Sequence, residues 1–442
     1  MSKPTCKPWN FGRRGFVRGG AAAALGVPLS FAFRGRARAA GFGPLVADPA
    51  GLLDLPAGFS YAIVDKRGTP MDDGYRVPGR PDAMGTFPGP DGTVILMRNH
   101  EVSAIEAING PYMPGQEPPP EAYNPAAMGG VTRVVLDGRS FARISSNLVL
   151  CGTVRNCAGG VSPWGWLSCE ETDSAGHGYV FLCRTDAATV QPPQRIVGYG
   201  RCNHEAACVD PATSVAYLTE DRGDSCLYRF VPASPEDPFT GTLQALVIEG
   251  APGFATTEMA VGEVVPVAWV DIDEPDPAGD TLRVEAQGKG AAIVVRGEGI
   301  WFHEGAVYVC STSGGPAGAG QIFRLIDGAE PTLELLARSE DPAVLEKPDN
   351  ICVASWGDVY MAEDGDGDNF IRVLTPHGEV FDFARNAKST SELAGVCFSP
   401  DERALFLNIQ SDGLTVVITG PFPGVEEPEP ETSGGETIGG ET

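Results

Sequence analysis

The sequence predicts an all-β fold, a six-bladed β-propeller with loop insertions. Its composition is rich in turn residues, with 57 glycines and 38 prolines in 442 residues, and its apolar residues form many short runs instead of long helical periodicities. One unit also recurs six times, at intervals of about 40 to 95 residues: a polar or acidic residue, a short apolar strand, a turn, a second apolar strand and a polar or acidic end. Repetition on this scale is typical of propellers, whose blades bury their faces only when the ring closes.

The six units follow one another from residue 82 to about residue 410. The first begins at Asp82, and a proline-rich stretch over residues 103–130 then predicts a long loop or insertion. The second begins at Asn156, and its second strand ends at a thiol and two carboxylates, Cys169-Glu170-Glu171. The other four begin at Glu205, at Glu298, at Asp349 or Asn350, and at Glu392. Because the same strand of every blade lines the channel of a propeller, these first residues are predicted to form a ring near its centre.

Six polar and acidic groups in one ring predict bound cations. Carboxylates that lie close together cannot all remain charged unless positive charge is added. Oxygen ligands suit a hard ion such as Ca²⁺, whereas the Cys169 thiolate favours a softer or trivalent transition metal such as iron. The alternative interpretation is that these residues are ordinary polar caps at strand ends that bind no ion. From the residues alone, both interpretations stay open.

The acidic composition excludes one class of partner. The net charge is −26, and residues 1–39 contain eight basic and no acidic side chains, so the rest of the chain carries about −34. Nucleic acid is therefore not expected as a partner. Most of the carboxylates are interpreted as a solvated surface that keeps the protein soluble, and only those that recur at the blade starts need another explanation.

The N-terminal segment resembles a twin-arginine export signal. It combines Arg13-Arg14 in a basic region with a weakly apolar stretch over residues 19–33 and an Ala-Arg-Ala sequence at residues 37–39. The apolar stretch is too short to span a membrane, so we predict a periplasmic or extracellular protein, exported by the twin-arginine machinery and without a stable membrane anchor. The predicted organisation is a signal peptide over residues 1–39, a single propeller domain over residues 40–424 and a disordered acidic tail over residues 425–442.

A set of short motifs occurs in a fixed order along the chain: Arg98-Asn99-His100-Glu101, Arg155-Asn156-Cys157-Ala158-Gly159-Gly160, Cys169-Glu170-Glu171, His204-Glu205-Ala206, Thr219-Glu220-Asp221-Arg222, Arg296-Gly297-Glu298-Gly299 and Pro348-Asp349-Asn350. Taken together, these motifs resemble the PhoX-type alkaline phosphatases, an exported family, over most of residues 50–420. The resemblance implies a six-bladed propeller that holds iron and calcium in its channel and hydrolyses small phosphoesters.

The same resemblance implies roles for individual residues. Cys169 would be the thiolate ligand of iron, Glu205 and Glu298 would be carboxylate ligands, and Arg296 would hold the substrate phosphate. The residues that would complete the calcium shells are Asn156, Glu170, Glu220 and Glu392. Cys157 is the second candidate for the thiolate, ranked lower because it precedes the turn.

Motifs of other hydrolase classes are missing from the sequence. It has no GxSxG nucleophile elbow, no P-loop and no HExxH zinc motif, so metal-assisted attack on phosphorus fits better than a serine nucleophile. Residues 364–369 resemble the first half of a calcium loop but lack a glutamate at the twelfth position, and they are interpreted as a solvated turn. Two other functions stay open: a calcium-dependent lactonase or esterase, and a secreted propeller that binds calcium without catalysis. A closed ring has no free sheet edge, so we expect a monomer.

Overall fold

A computed structural model describes residues 41–424 of the chain. The predicted signal peptide and the predicted acidic tail lie outside these residues. Within them the regular structure is almost entirely β-strand, since short apolar runs are broken by glycine, proline and aspartate turns. One short α-helix is present, α1 (Leu282–Gly288), with single-turn 3₁₀ helices at Pro90–Gly92, Ala107–Asn109, Val197–Tyr199 and Thr256–Glu258. No helix of the described part is long and apolar enough to cross a membrane.

The strands, numbered in chain order, are β1 Leu45–Val46, β2 Leu53–Pro56, β3 Ser60–Lys66, β4 Pro81–Pro88, β5 Val94–His100, β6 Gly129–Leu136, β7 Arg143–Thr153, β8 Asn156–Ser162, β9 Gly165–Glu170, β10 Val180–Cys183, β11 Gln194–Arg195, β12 His204–Val209, β13 Ala216–Glu220, β14 Tyr228–Ser234, β15 Asp237–Ile248, β16 Val264–Asp271, β17 Gly297–His303, β18 Ala306–Ser311, β19 Gln321–Ile326, β20 Thr332–Arg338, β21 Pro348–Val353, β22 Val359–Glu363, β23 Phe370–Leu374, β24 Val380–Asn386, β25 Leu393–Phe398, β26 Ala404–Ile409 and β27 Leu414–Thr419.

Antiparallel hydrogen bonding joins these strands into five sheets. Three have four strands, in the orders β4-β5-β6-β7, β8-β9-β10-β11 and β25-β26-β27-β3. A fourth contains β21 to β24 and is extended at its outer edge by β2 and β1. The fifth has nine strands, because β16 pairs with β20 and so joins the run β12 to β16 to the run β17 to β20. The predicted all-β, propeller-like fold is confirmed, whereas the described residues form five sheets and not six separate ones.

The first strands of the six sequence units pack around a common centre. We call β4, β8, β12, β17, β21 and β25 the inner strands; each contacts the next, and β25 contacts β4. Small residues permit this approach: a Cβ atom added at Gly160 in β8 would overlap the Ala207 carbonyl group in β12. The inner strands therefore bring residues that are far apart in sequence to one channel.

The ring closes through β3, which completes the sheet of β25, β26 and β27. Strand β3 pairs with β27, for example Ile63 with Val416. A buried arginine stabilises the junction: Arg98 donates from Nη2 to Asp65 Oδ2 in β3 (3.1 Å) and from Nη1 to Thr415 Oγ1 in β27 (2.7 Å). One side chain of the first sheet thus holds both strands that close the last sheet.

Replacing Arg98 with leucine is expected to lower the free energy of unfolding by about 3 kcal/mol, because the change leaves the buried Asp65 and Thr415 without this partner. The measurement is denaturant unfolding of the purified protein. Replacing Arg324 with alanine is the control, since its ion pair with Glu334 is partly exposed and a loss of less than about 1 kcal/mol is expected. Equal losses in the two variants would contradict a special role for Arg98 in closure.

Candidate active site

Three positions repeat in every sequence unit and define the channel end at which the site lies. The leading position directly precedes the inner strand, the inner position is the second residue of that strand, and the trailing position directly follows the next strand. In all six units the backbone N–H of the trailing residue donates to the carbonyl oxygen of the leading residue, at 2.8–3.3 Å. The leading residues are Arg80, Arg155, Asn203, Arg296, Lys347 and Glu392, and the trailing residues are Glu101, Glu171, Asp221, Thr312, Asp364 and Gln410.

A bulge in each inner strand distinguishes the inner position. Asn156 of β8 pairs with Glu170 of β9, and Gly159 pairs with Ser168, so three residue steps along β8 match two steps along β9. The same shift occurs near the start of the other five inner strands. Such bulges re-aim side chains near functional sites. The inner residues are Asp82, Cys157, Glu205, Glu298, Asp349 and Ala394.

Two groups of these side chains are close enough to share a metal ion. Ligand atoms of Glu205, Glu298 and Asp349 all lie within 4.8 Å of one another. Ligand atoms of Cys157, Glu171 and Glu205 form a second group within the same distance. Glu205 belongs to both groups, so two metal sites would share it.

Three carboxylates of the metal-compatible groups, Asp349, Glu171 and Glu205, have pKa values raised by burial. Burial, followed by the charge of Asp364, raises the pKa of Asp349 to about 8. Burial also raises the pKa of Glu171 to about 8, although the charge of Arg155 opposes the shift. For Glu205, burial and the charge of Asp349 raise the pKa well above its usual value. Added positive charge would reverse these shifts, because a cation stabilises the ionised form.

A further set of carboxylates extends the acidic region beside Asp349. Burial and the charge and hydrogen bond of Asp364 raise the pKa of Glu392 to about 11. Burial, followed by the charge of Asp349, raises the pKa of Asp82 well above its ordinary value. The Asp82 Oδ1 atom is buried without a hydrogen-bond partner, whereas Oδ2 accepts from Gln410 (3.1 Å). An unpaired buried carboxylate oxygen fits a cation ligand.

The donor set fits the predicted metals. The group of Glu205, Glu298 and Asp349 offers only carboxylate oxygens, which suit a hard cation such as Ca²⁺. The group with Cys157 adds a thiol, which suits a transition metal such as iron better than calcium. Burial raises the pKa of the Cys157 thiol well above its usual value, so its thiolate would need a metal or another positive charge beside it.

Arg296 lies next to the carboxylate group. Its Nε donates to Asp221 Oδ1 (2.7 Å), and its Nη2 donates to Asp221 Oδ2 (3.0 Å) and to Glu298 Oε1 (2.8 Å). The side chain is nevertheless 36% exposed. A planar guanidinium that is fixed on one edge and open on another can bind an anion such as phosphate.

The structure brings four of the predicted site residues to this end of the channel. Glu205 and Glu298 contribute to the groups above, Arg296 contacts Glu298, and Glu392 interacts with Asp364. The four lie on or directly before three inner strands, β12, β17 and β25, and only the packing of these strands brings them together.

Cys169 lies elsewhere. It is buried in β9 within an apolar cluster that includes Leu167, Val180 and Tyr199, and it belongs to neither metal-compatible group. Cys157 occupies the inner position instead. All ten cysteines of the described residues are buried and unpaired, so burial alone does not separate these two thiols.

The other three predicted ligands have protein partners. Asn156 donates to Ser168 Oγ (2.9 Å), and Glu170 accepts from the backbone N–H groups of Val154 and Gly178 (2.9 Å each). Glu220 accepts from Tyr228 Oη (2.7 Å) and from Arg283 (3.3 Å). None of the three belongs to a metal-compatible group of the described part. Their contacts indicate that they hold neighbouring strands and loops in place.

Three residues that the structure places at this end of the channel were not leading candidates from the sequence: Cys157, ranked second as the thiolate, Glu171 and Asp364. The run over residues 364–369, interpreted as a solvated turn, begins at the trailing position, and Asp364 interacts with Glu392. A signal was present: four inner residues follow a basic residue by two positions, namely Asp82 after Arg80, Cys157 after Arg155, Glu298 after Arg296 and Asp349 after Lys347. Aligning the units on that basic residue selects Cys157 in the second unit.

Comparison with known proteins identifies the family. The family described as alkaline phosphatase PhoX matches residues 40–413. Among solved structures, the chain is similar to PhoX from Pseudomonas fluorescens in complex with vanadate, a transition state analogue. The TM-score is 0.64 and the sequence identity is 19%, and the match covers 84% of this chain and 96% of that chain. A gluconolactonase from Xanthomonas campestris has a TM-score of 0.43 and 15% identity over 86% of this chain and 98% of that chain. No curated protein matches. The chain belongs to the PhoX alkaline phosphatases and is a phosphatase.

Proposed function

We propose that the protein is an exported, metal-dependent phosphomonoesterase that acts on small phosphoesters. The observation that supports this most strongly is the pair of metal-compatible groups that share Glu205 and lie beside Arg296. A phosphomonoester carries negative charge that repels nucleophiles, so its hydrolysis needs concentrated positive charge. The channel combines ligands for cations with a guanidinium that can bind the substrate.

We also infer that the nine-stranded sheet consists of two blades, which gives six in total. Each of its two runs begins with an inner strand that has the same bulge, β12 and β17. The two runs are joined by the pairing of β16 with β20, which lies away from the channel. The leading, inner and trailing positions of both runs are the same as in the other units. Six inner strands therefore contribute to the site.

We assign the ligands by position. Glu205, Glu298 and Asp349 would hold calcium, and Asp82, Asp364 and Glu392 would hold further calcium. Cys157, Glu171 and Glu205 would hold iron, and Cys157 replaces Cys169 as the proposed thiolate. Bound ions would supply the positive charge that neutralises the phosphoryl oxygens during attack.

The protein itself orients the substrate. Asp221 fixes Arg296 through two hydrogen bonds, so the guanidinium loses little freedom when phosphate binds. Apolar residues such as Ala158, Ala206 and Ile300 line the channel near the inner positions. A lining of this kind lowers the local dielectric, which strengthens the attraction between Arg296 and a phosphate dianion.

Replacing Arg296 with alanine is expected to lower kcat/KM for p-nitrophenyl phosphate by about 100-fold, because it removes charge-assisted hydrogen bonds to the phosphoryl group. The control is Arg222→Ala, since Arg222 binds Asp173 and Asp280 and not the metal-compatible groups. Equal rates for Arg296→Ala and the unchanged protein would remove Arg296 from this role.

Metal analysis of protein purified without chelator separates the candidate functions. Iron together with calcium supports the phosphomonoesterase assigned above. Calcium alone, with no p-nitrophenyl phosphate hydrolysis, would favour a calcium-dependent lactonase or esterase, or a propeller that binds calcium without catalysis. Export is tested separately, by locating the full-length protein in cells whose twin-arginine pathway is intact or deleted.

Metal-free protein is expected to become less stable as the pH rises from about 5 to about 8. In the folded state the pKa values of Asp349 and Glu171 are raised to about 8, so these groups keep protons that the unfolded chain has already released. Their contribution to stability is fully present below the ordinary carboxyl pKa and is lost as the pH rises through the raised pKa. The measurement is the melting temperature after chelation, and added Ca²⁺ should restore stability most at high pH. A melting temperature that rises steadily over this range would contradict the shifts.

A further inference from the structure

Arg155 occupies in the second sequence unit the position that Arg296 occupies in the fourth. Each is the leading residue, directly before an inner strand, and each has a positive backbone φ, +50° for Arg155 and +47° for Arg296. Non-glycine residues seldom adopt this conformation. The backbone therefore has the same unusual conformation at both arginines.

Their guanidinium groups are also held in the same way. Arg155 donates from Nε to Glu101 Oε1 (2.8 Å) and from Nη2 to Glu171 Oε2. Arg296 donates from the corresponding atoms to Asp221 and Glu298. In both residues Nε and Nη2 are occupied, while Nη1 has no hydrogen-bond partner among the described residues. The side chains remain 42% and 36% exposed, so a ligand can approach both residues.

Each arginine touches a ligand of a different metal-compatible group. Arg155 contacts Glu171, which lies in the group with Cys157, and Arg296 contacts Glu298, which lies in the group with Asp349. Glu205 joins the two groups. A substrate phosphoryl group placed near both groups would therefore meet a guanidinium beside each of them.

The other basic leading residues do not share this arrangement. Arg80 donates to Gln410 Oε1 (3.2 Å), to Ser411 Oγ (3.4 Å) and to Glu106 Oε1 (3.2 Å). Lys347 donates to the exposed Asp366 (3.3 Å). Neither side chain touches a residue of the two metal-compatible groups. All four basic leading residues share the positive φ, but the contacts of the Arg155 guanidinium are thus not a general consequence of the leading position.

We propose that Arg155 is a second phosphoryl-binding residue, which donates from Nη1 to a non-bridging phosphate oxygen while Arg296 donates to another. The inference rests on the proposed phosphomonoesterase function and identifies a second group that recognises its substrates. A monoester dianion has three non-bridging oxygens, which can accept from two guanidinium groups at once. A phosphodiester has only two such oxygens and one negative charge, so the pair of arginines favours monoesters.

The test compares Arg155→Lys with Arg80→Gln. Lysine keeps a positive charge beside Glu171 but lacks the planar guanidinium that leaves Nη1 free for phosphate. Arg80 is the matched control, because it is also a leading residue with a positive φ, 48°, but does not contact the two metal-compatible groups. We would measure binding of inorganic phosphate by calorimetry, KM and kcat for p-nitrophenyl phosphate, metal content and melting temperature. For Arg155→Lys we expect phosphate affinity to fall about 10-fold and KM to rise by a similar factor, with kcat, metal content and melting temperature changed little. Arg80→Gln should match the unchanged protein within about twofold.

The outcomes distinguish this inference from the proposed function. Phosphate binding and KM of Arg155→Lys within twofold of the unchanged protein would overturn the role of Arg155 and leave the phosphomonoesterase intact. An unchanged protein that binds phosphate but hydrolyses no monoester would overturn the proposed function, and weaker phosphate binding by Arg155→Lys would still support its role. If Arg155→Lys loses its metals, phosphate binding by Arg155→Gln is measured with and without added free guanidinium. Recovery of phosphate binding supports the role of Arg155 in binding phosphate, and no recovery overturns it.

Discussion

Replacing Glu205 with glutamine is expected to lower phosphatase activity by about 100-fold or more and to remove bound metal from the protein. Glu205 is the residue that both metal-compatible groups share, so one change affects two sites. Glutamine keeps the size of the side chain but removes its negative charge. Activity measured with p-nitrophenyl phosphate and metal content measured on the same sample test this expectation.

Stability provides an independent readout for the same variant. Burial and the charge of Asp349 raise the pKa of Glu205 well above its ordinary value, so a neutral amide should leave the metal-free protein at least as stable as before. The control is Glu170→Gln: Glu170 accepts backbone N–H groups from Val154 and Gly178, so this change should lower the melting temperature and leave the metal content unchanged. Loss of calcium from Glu170→Gln with retention by Glu205→Gln would reverse our assignment.

Replacing Cys157 with serine is expected to remove iron and most of the activity, whereas Cys169→Ser should keep both. Of these two thiols, only that of Cys157 lies within 4.8 Å of two carboxylates of a metal-compatible group, and serine is a poor substitute for a thiolate ligand of a transition metal. Both thiols are buried, so the pair is matched for the structural cost of the change. Metal analysis, activity and melting temperature of the two variants form the test.

The opposite result would restore the original prediction. If Cys169→Ser loses iron and Cys157→Ser retains it, the thiolate ligand comes from β9 and the apolar surroundings of Cys169 must rearrange when metal binds. If both variants keep their iron, neither Cys157 nor Cys169 is its thiolate ligand.

The repeated units could be predicted because each contains local signals. Short apolar runs, turn residues and polar ends recur at all six inner strands, and Glu205, Glu298 and Glu392 were correctly placed near the channel from that pattern. Arg296 and Glu298 are two residues apart in one strand start, so their proximity also follows from the sequence. The pairing of β16 with β20 could not be foreseen, because it depends on how two outer edges meet in space.

Strand periodicity alone could not decide between the two thiols, for a physical reason. Side chains along a regular strand alternate between the two faces of the sheet. This alternation does not predict where a bulge inserts an extra residue between two paired strands. The bulge near the start of β8 directs Cys157 toward Glu171 and Glu205 and leaves Asn156 bonded to Ser168. Asn156, Glu170 and Glu220 were selected for their polar side chains, and only the three-dimensional contacts show that each already has a hydrogen-bond partner in the protein.

The closure of the ring by β3 and β27 sets the order in which the protein can mature. Lys66 and Leu414 pair directly although most of the chain separates them, and contacts of such long range form late and slowly. The proposed ligands at positions 82 to 392 reach one another only when all inner strands are in place. We therefore expect the proposed cation sites to form only after β25, the last inner strand, has been synthesised and has packed against β4.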